Sequence, residues 1–203
     1  MLINASCGPT ATFDTPQPRG LRNESSFNKH FLGAYRSLDS SITIFITNQL
    51  ITQSSNQFIE TLIDSLGSIY KLSADTLINL KNKNREIVLR TDSSIIQQYQ
   101  HIDTLFEFKE GHALKKYKAH YFLNQQDKDD KKWSVAKLSL EKDMLTLSSI
   151  LGKEAIDLLN EITDTPEDTS QSTINYDLNK RQFKKFLRSD GFSNIDTFVR
   201  VRN

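Results

Sequence analysis

The sequence predicts a mixed α/β fold, and three observations carry that reading. Gly 7 and Pro 4 make up about 5% of the 203 residues, less than half the usual share of about 12%, which disfavours a loop-rich β-sandwich. Several stretches repeat apolar residues at three and four, the period of a helix. Others are β-branched or alternate at period two, as strands do. The length suits one domain with appendages or two small ones, and is enough to bury a real core.

Residues 1–25 hold Pro9, Pro16, Pro18 and two of the seven glycines, and read as an irregular N-terminal arm. A domain over 26–163 follows. Phe27, Phe31, Leu32, Tyr35 and Leu38 predict a helix capped by Ser25 or Ser26. Ile42, Ile44 and Ile46, alternating with Thr43, Phe45 and Thr47, predict a strand. From Asn56, the stripe Phe58, Ile59, Leu62, Ile63, Leu66, Ile69 and Tyr70 predicts a second helix. Thr76–Leu80 and Glu86–Arg90 read as short strands around a Lys-Asn-Lys-Asn turn, and Ile102–Lys109 as a third strand stopping at Glu110-Gly111. The stripe Leu114, Tyr117, Tyr121 makes 112–124 a helix. A charged loop, 125–132, leads to a strand at Trp133–Leu138, and Leu140–Ile162 is the longest expected helix. Residues 164–175 are polar and acidic, a linker by composition. Residues 176–203 form a small basic module: a short helix capped by Asp177, then Gly191, then Thr197–Arg202.

Charge and cysteine content exclude several classes. Lys+Arg 26 against Asp+Glu 25 leaves a net charge of +1, which excludes a globally basic nucleic-acid coat. Cys7 is the one cysteine, so a disulfide framework and a Cys-rich zinc site are out. No apolar run approaches the ~18 residues of a membrane helix. Met1 to Cys7 carries no Lys or Arg and no long apolar stretch, so the chain reads as lacking a secretory signal and is expected in the cytoplasm.

The constellation with the most chemistry lies at 86–109. On a strand, Glu107 and Lys109 share one face and Phe106 and Phe108 the other. If 86–96 pairs with 102–109 as a hairpin, Asp92 comes near Glu107. Two carboxylates could then hold one Mg²⁺, with Lys109 beside it to orient the attacking water. Order and spacing over 56–140 resemble the PD-(D/E)XK (restriction-endonuclease-like) nucleases. Their core is αβββαβ, with Asp on the second strand and (Asp/Glu)-x-Lys on the third. The matching residues here are Asp92, Glu107 and Lys109, with Glu60 as an added metal ligand; Thr91 stands where the motif has proline. The resemblance implies a Mg²⁺-dependent endonuclease that hydrolyses DNA through a metal-activated water, in restriction or phage defence. It also implies a homodimer.

Basic residues beyond the triplet fit a phosphate backbone: Lys115, Lys116 and Lys118 on the helix expected at 112–124, and Lys180, Arg181, Lys184, Lys185 and Arg188 in the C-terminal module, followed by Arg200 and Arg202. Residues 176–203 carry a net +4. Two other readings stand beside the nuclease. Lys115 to His120 resembles the Arg-x4–6-His motif of HEPN ribonucleases, which are metal-independent. Arginine is absent, however, and on a helix the two side chains would point about 140° apart. The alternative from a different class is a non-catalytic protein that binds a protein or nucleic-acid partner.

Overall fold

Antiparallel β-strands dominate the computed structural model, which describes residues 10–165 and 173–202. Strand accounts for 52% of the described residues. The mixed α/β reading, with its restriction-endonuclease-like αβββαβ core, is therefore corrected: residues 56–140 contain no α-helix. The strands are β1 (Thr10–Phe13), β2 (Asn23–Glu24), β3 (Gly33–Ser37), β4 (Ile42–Ile46), β5 (Leu50–Leu62), β6 (Tyr70–Ser73), β7 (Thr76–Asn79), β8 (Arg85–Ile87), β9 (Leu89–Arg90), β10 (Ser94–Glu107), β11 (His112–Tyr117), β12 (His120–Gln126), β13 (Trp133–Glu141), β14 (Met144–Ser149), β15 (Thr173–Tyr176) and β16 (Ser193–Arg200). Two helices complete the described residues, α1 (Lys153–Thr163) and α2 (Lys180–Arg188).

Thirteen strands form one sheet along the order β2-β11-β12-β13-β14-β16-β3-β4-β5-β10-β9. β1 attaches to β13, and β15 runs parallel to β1. The chain divides into two compact units, Met1–Gln53 with Asp103–Asn203, and Ser54–Ile102.

In the first unit both faces of the sheet are covered. On one face Tyr35, Ile44, Ile51, Phe106, Tyr121, Leu138 and Phe198 share a core with Phe27 and Phe31. Because these residues come from strands at the ends of the order as well as its middle, the sheet curls around them. On the other face Phe122 and Val135 pack against Ala155, Ile156 and Leu159 of α1 and Phe183 and Phe186 of α2. The run Tyr121-Phe122-Leu123 in β12 is therefore buried throughout, successive side chains serving opposite cores. Asn179 caps α2 by accepting from the backbone N–H groups of Arg181 and Gln182, while the Gln182 side chain accepts from the Asn179 N–H. Gly191 follows because a Cβ there would lie 2.2 Å from the Phe186 ring. β16 sits between β14 and β3, so the segment expected as a separate basic module runs through the middle of the main sheet. Arg200 fixes it there, donating to the carbonyls of Leu32 and His30.

The second unit comprises the outer parts of β5 and β10, strand β9, and the small sheet β6-β7-β8. Its core is small: Leu77, Val88 and Ile95, with Ile63, Leu66 and Leu72 against them.

Three helices expected from sequence are strands or turns, and a fourth is helical only in its second half. Residues 26–38 make a short 3-10 turn and β3; 56–70 hold the end of β5, which stops at Leu62, a 3-10 turn at Ile63–Ser65 and the start of β6; 112–124 lie in the β11–β12 hairpin; and 140–162 are split between the end of β13, β14 and α1. Two physical causes account for this. Strands buried on both faces lose the period-two alternation and show clusters that mimic a helical stripe. And the scarcity of glycine did not limit turns, because Ser40, Ala74, Lys83, Lys118, Lys131 and Lys142 take positive φ where glycine is the usual residue. The strands at Ile42–Ile46, Thr76–Asn79 and from Trp133 were read correctly, as was a short helix in 176–203, although Asn179 and not Asp177 caps it. The arm at 1–25 contains β1 and β2, and its first nine residues, Cys7 among them, lie outside the described residues. So does most of the linker, 166–172. Among the described residues no helix is long and apolar enough to cross a membrane.

Candidate functional site

The expected metal triplet is not assembled. Residues 102–109 do not pair with 86–96. Instead β9 turns back directly onto β10, with Arg90 opposite Ile95 and Leu89 opposite Ile96. Asp92 lies in that turn, which is closed by the Thr91 N–H donating to the Ser94 carbonyl (2.8 Å). Glu107 is the last residue of β10, so the whole 14-residue strand separates it from Asp92. Its carboxylate is engaged by the Lys109 ammonium, which holds it below the usual carboxylate range. Glu60 belongs to the unit that contains Asp92 and accepts from Ser94 Oγ. Among the described residues no three His, Cys, Asp or Glu side chains converge to hold a metal. The expected ligands do not fit one Mg²⁺ ion.

The HEPN-like pair separates as well. Lys115 and His120 sit on neighbouring strands, β11 and β12, rather than on one helix. Lys115 is buried, and its ammonium donates to the carbonyls of Pro18 (3.2 Å) and Leu21 (3.1 Å). Burial lowers its pKa. It ties the chain before β2 to β11 and is not presented to a phosphate.

A different site is assembled at the β11–β12 turn. Tyr117, Lys118, His120, Lys137, Lys184, Leu187, Arg188 and Asp190 line a pocket of about 280 Å³. Each lining element has a local reason. Lys118 occupies the two-residue turn at φ 55°, between the paired residues Tyr117 and His120. Lys137 stands opposite Phe122 on β13, two residues beyond Val135 on the face that meets the helices, and so points where an apolar side chain is expected. Lys184, Leu187 and Arg188 are one turn apart on the C-terminal half of α2, where cations also suit the helix dipole.

The pocket's electrostatics are lopsided. Four permanent cations face one carboxylate, Asp190. No ion pair among the described residues engages those four cations. Three of them are placed instead on aromatic rings: Lys118 and Lys184 Nζ lie 5.8 and 5.7 Å from the Tyr117 ring centre, and Lys137 Nζ lies 5.4 Å from that of Phe192. Burial lowers the Lys137 pKa, while Asp190 opposes the shift. Burial, then the charges of Lys137 and Lys118, lower that of His120. Its Nδ1 is hydrogen-bonded to Ser139 Oγ (2.8 Å), which leaves Nε2 for a ligand.

Of the residues singled out as basic, Lys118, Lys184 and Arg188 meet here; Lys116, Lys180 and Arg181 are exposed elsewhere. Lys185 pairs with Glu161 (3.0 Å), and Arg202 pairs with Asp143. Lys137 escaped the sequence reading. Its signal is the alternation Trp133, Val135, Lys137, which puts a lysine in line with core residues. No protein-family model, no curated protein and no solved structure matches this chain.

Proposed function

We propose that the protein is a non-catalytic binding protein whose pocket at the β11–β12 turn captures the anionic group of a small phosphorylated or sulfated organic molecule. The convergence of Lys118, Lys137, Lys184 and Arg188 on one pocket with a single opposing carboxylate carries this reading. Cations held together without counterions repel one another, and an anion relieves that repulsion. Tyr117 and Leu187 add an apolar wall for the body that carries the anion. The volume admits one such group with a small organic moiety and does not enclose a long chain.

Calorimetric titration with inorganic sulfate, inorganic phosphate and a nucleoside monophosphate tests the reading. Saturable binding is expected, weakened about tenfold or more in a Lys137→Gln/Lys184→Gln variant of unchanged fold. Absence of saturable binding, or binding indifferent to both substitutions, refutes it. The endonuclease expectation is tested separately by incubating plasmid with Mg²⁺, with EDTA, and with Glu107→Ala protein. Cleavage that requires both metal and Glu107 would displace the binding proposal.

A further inference from the structure

The second unit leaves one face of its three-stranded sheet β5-β10-β9 uncovered. The residues on that face follow from the register. Leu89 is opposite Ile96, and opposed residues of paired strands share a face. Ser94 Oγ donates to Glu60 Oε1, and Gln100 Nε2 donates to Ser54 Oγ (2.9 Å). Hydrogen-bonded side chains share a face, and between these two bonds the chain advances six residues on one strand while it retreats six on the other, so β5 and β10 run antiparallel and the alternate residues Ser54 to Leu62 and Ser94 to Ile102, Phe58 and Ile96 among them, fall on one face. Phe58, Ile96 and Leu89 thus lie on one face across three strands, with Leu62 and, beyond Gln98 and Gln100, Ile102 on the same face. The opposite face is in use: Ile95 is buried with Leu77 and Val88, and Gln97 reaches Glu86 of the small sheet (3.0 Å).

Leu89 is 67% exposed, Phe58 and Ile102 62%, and Leu62 58%. With Ile96 these side chains present roughly 500 Å² of apolar surface, at the upper end of what a soluble monomer leaves in one patch. The exposed amides Asn56, Gln98 and Gln100 on the same face bring the total to about 800 Å², the share one partner contributes to a standard interface. Its polar and apolar proportions match those of such interfaces. Glu60, already held by Ser94, is the one charged side chain among the face residues. A face so nearly uncharged does not repel its own copy, as a basic or acidic patch would.

We propose that this face packs against the same face of a second copy, giving a two-fold symmetric dimer through residues 54–102. The proposal does not depend on the anion pocket.

Analytical ultracentrifugation of the full chain over a range of concentrations tests it. A dimer is expected for the wild type. Phe58→Glu and Leu89→Glu should each raise the dissociation constant by about 100-fold or more, because a carboxylate is buried without a partner. Both are exposed in the monomer, so the far-ultraviolet circular dichroism of the folded chain should stay unchanged. Leu38→Glu is the control: Leu38 is more exposed still, at 77%, but lies in the β3–β4 turn of the other unit, and the substitution should leave the dimer intact. A wild-type chain that is monomeric at every concentration overturns the proposal. So does dissociation by Leu38→Glu to the same degree. A monomer that floats with phosphatidylcholine vesicles and loses this in Leu89→Glu would overturn it too, and assign the face to lipid.

Discussion

Replacing Asn124 with leucine should remove a large share of the protein's stability. Asn124 is fully buried on β12, and so is Gln17 in the segment that passes over it. Asn124 Oδ1 accepts from the Gln17 N–H (2.6 Å), and its Nδ2 donates to the carbonyls of Gln17 (2.8 Å), Phe122 (3.1 Å) and Ala113 (3.2 Å). A leucine fills the volume but leaves both Gln17 backbone groups dry and unpaired. Each such group costs about 1–3 kcal/mol, so about 4 kcal/mol is expected for the pair. With a urea slope of about 2 kcal/mol/M for a chain of this size, the midpoint should fall by about 2 M. Urea unfolding followed by far-ultraviolet circular dichroism measures this directly. Asn124→Asp separates the two halves of the network. It keeps the acceptor but aims a charge at three carbonyls, so its loss should match or exceed that of leucine at pH 7 and lessen on acidification as the carboxyl regains a donor. A midpoint lowered by less than about 0.5 M in Asn124→Leu would refute the claim that Asn124 holds the 17–19 segment in place.

Gly191→Ala should destabilise by about 1–3 kcal/mol in the same assay, since the new Cβ meets the buried Phe186 ring at 2.2–2.4 Å; no change would mean that the ring moves freely. Arg200→Lys should cost about 2 kcal/mol, because lysine lacks the fork that reaches the Leu32 carbonyl (2.8 Å) and the His30 carbonyl together. Burial depresses the folded-state pKa of both His112 and His120, so the unfolded chain takes up protons first as pH falls. Their contribution is complete above pH ~6.5, the ordinary histidine value, and is lost as pH falls through the depressed folded-state values. The urea midpoint should therefore drop between pH 7.5 and pH 5.5, and drop less in a His112→Gln/His120→Gln variant. Sulfate binding, with ligand charge constant over that range, should move the other way and tighten on acidification as His120 gains charge; titration at both pH values reads this.

The residues of short strands with clear alternation, and of a helix with its own cap, carried their structure in the sequence. Ile42–Ile46 alternates because one side chain in two meets the core, and α2 begins where Asn179 and Gln182 can satisfy each other's backbone. The basic character of Lys118, Lys184 and Arg188 was equally legible. Only the tertiary structure decided the rest. Tyr121, Phe122 and Leu123 look helical or merely apolar until two separate cores claim opposite faces of β12. Asp92 and Glu107 look like partners until the turn at Thr91–Ser94 makes 94–107 one strand and sets them at its two ends. Lys115 and Lys137 are ordinary lysines in the sequence; one is buried on backbone carbonyls and the other lines a cationic pocket, because β11 and β13 turn them toward different neighbours. Local periodicity records which faces are apolar. Which strands lie side by side is set by contacts between residues as far apart as Gln17 and Asn124, and no local pattern encodes those.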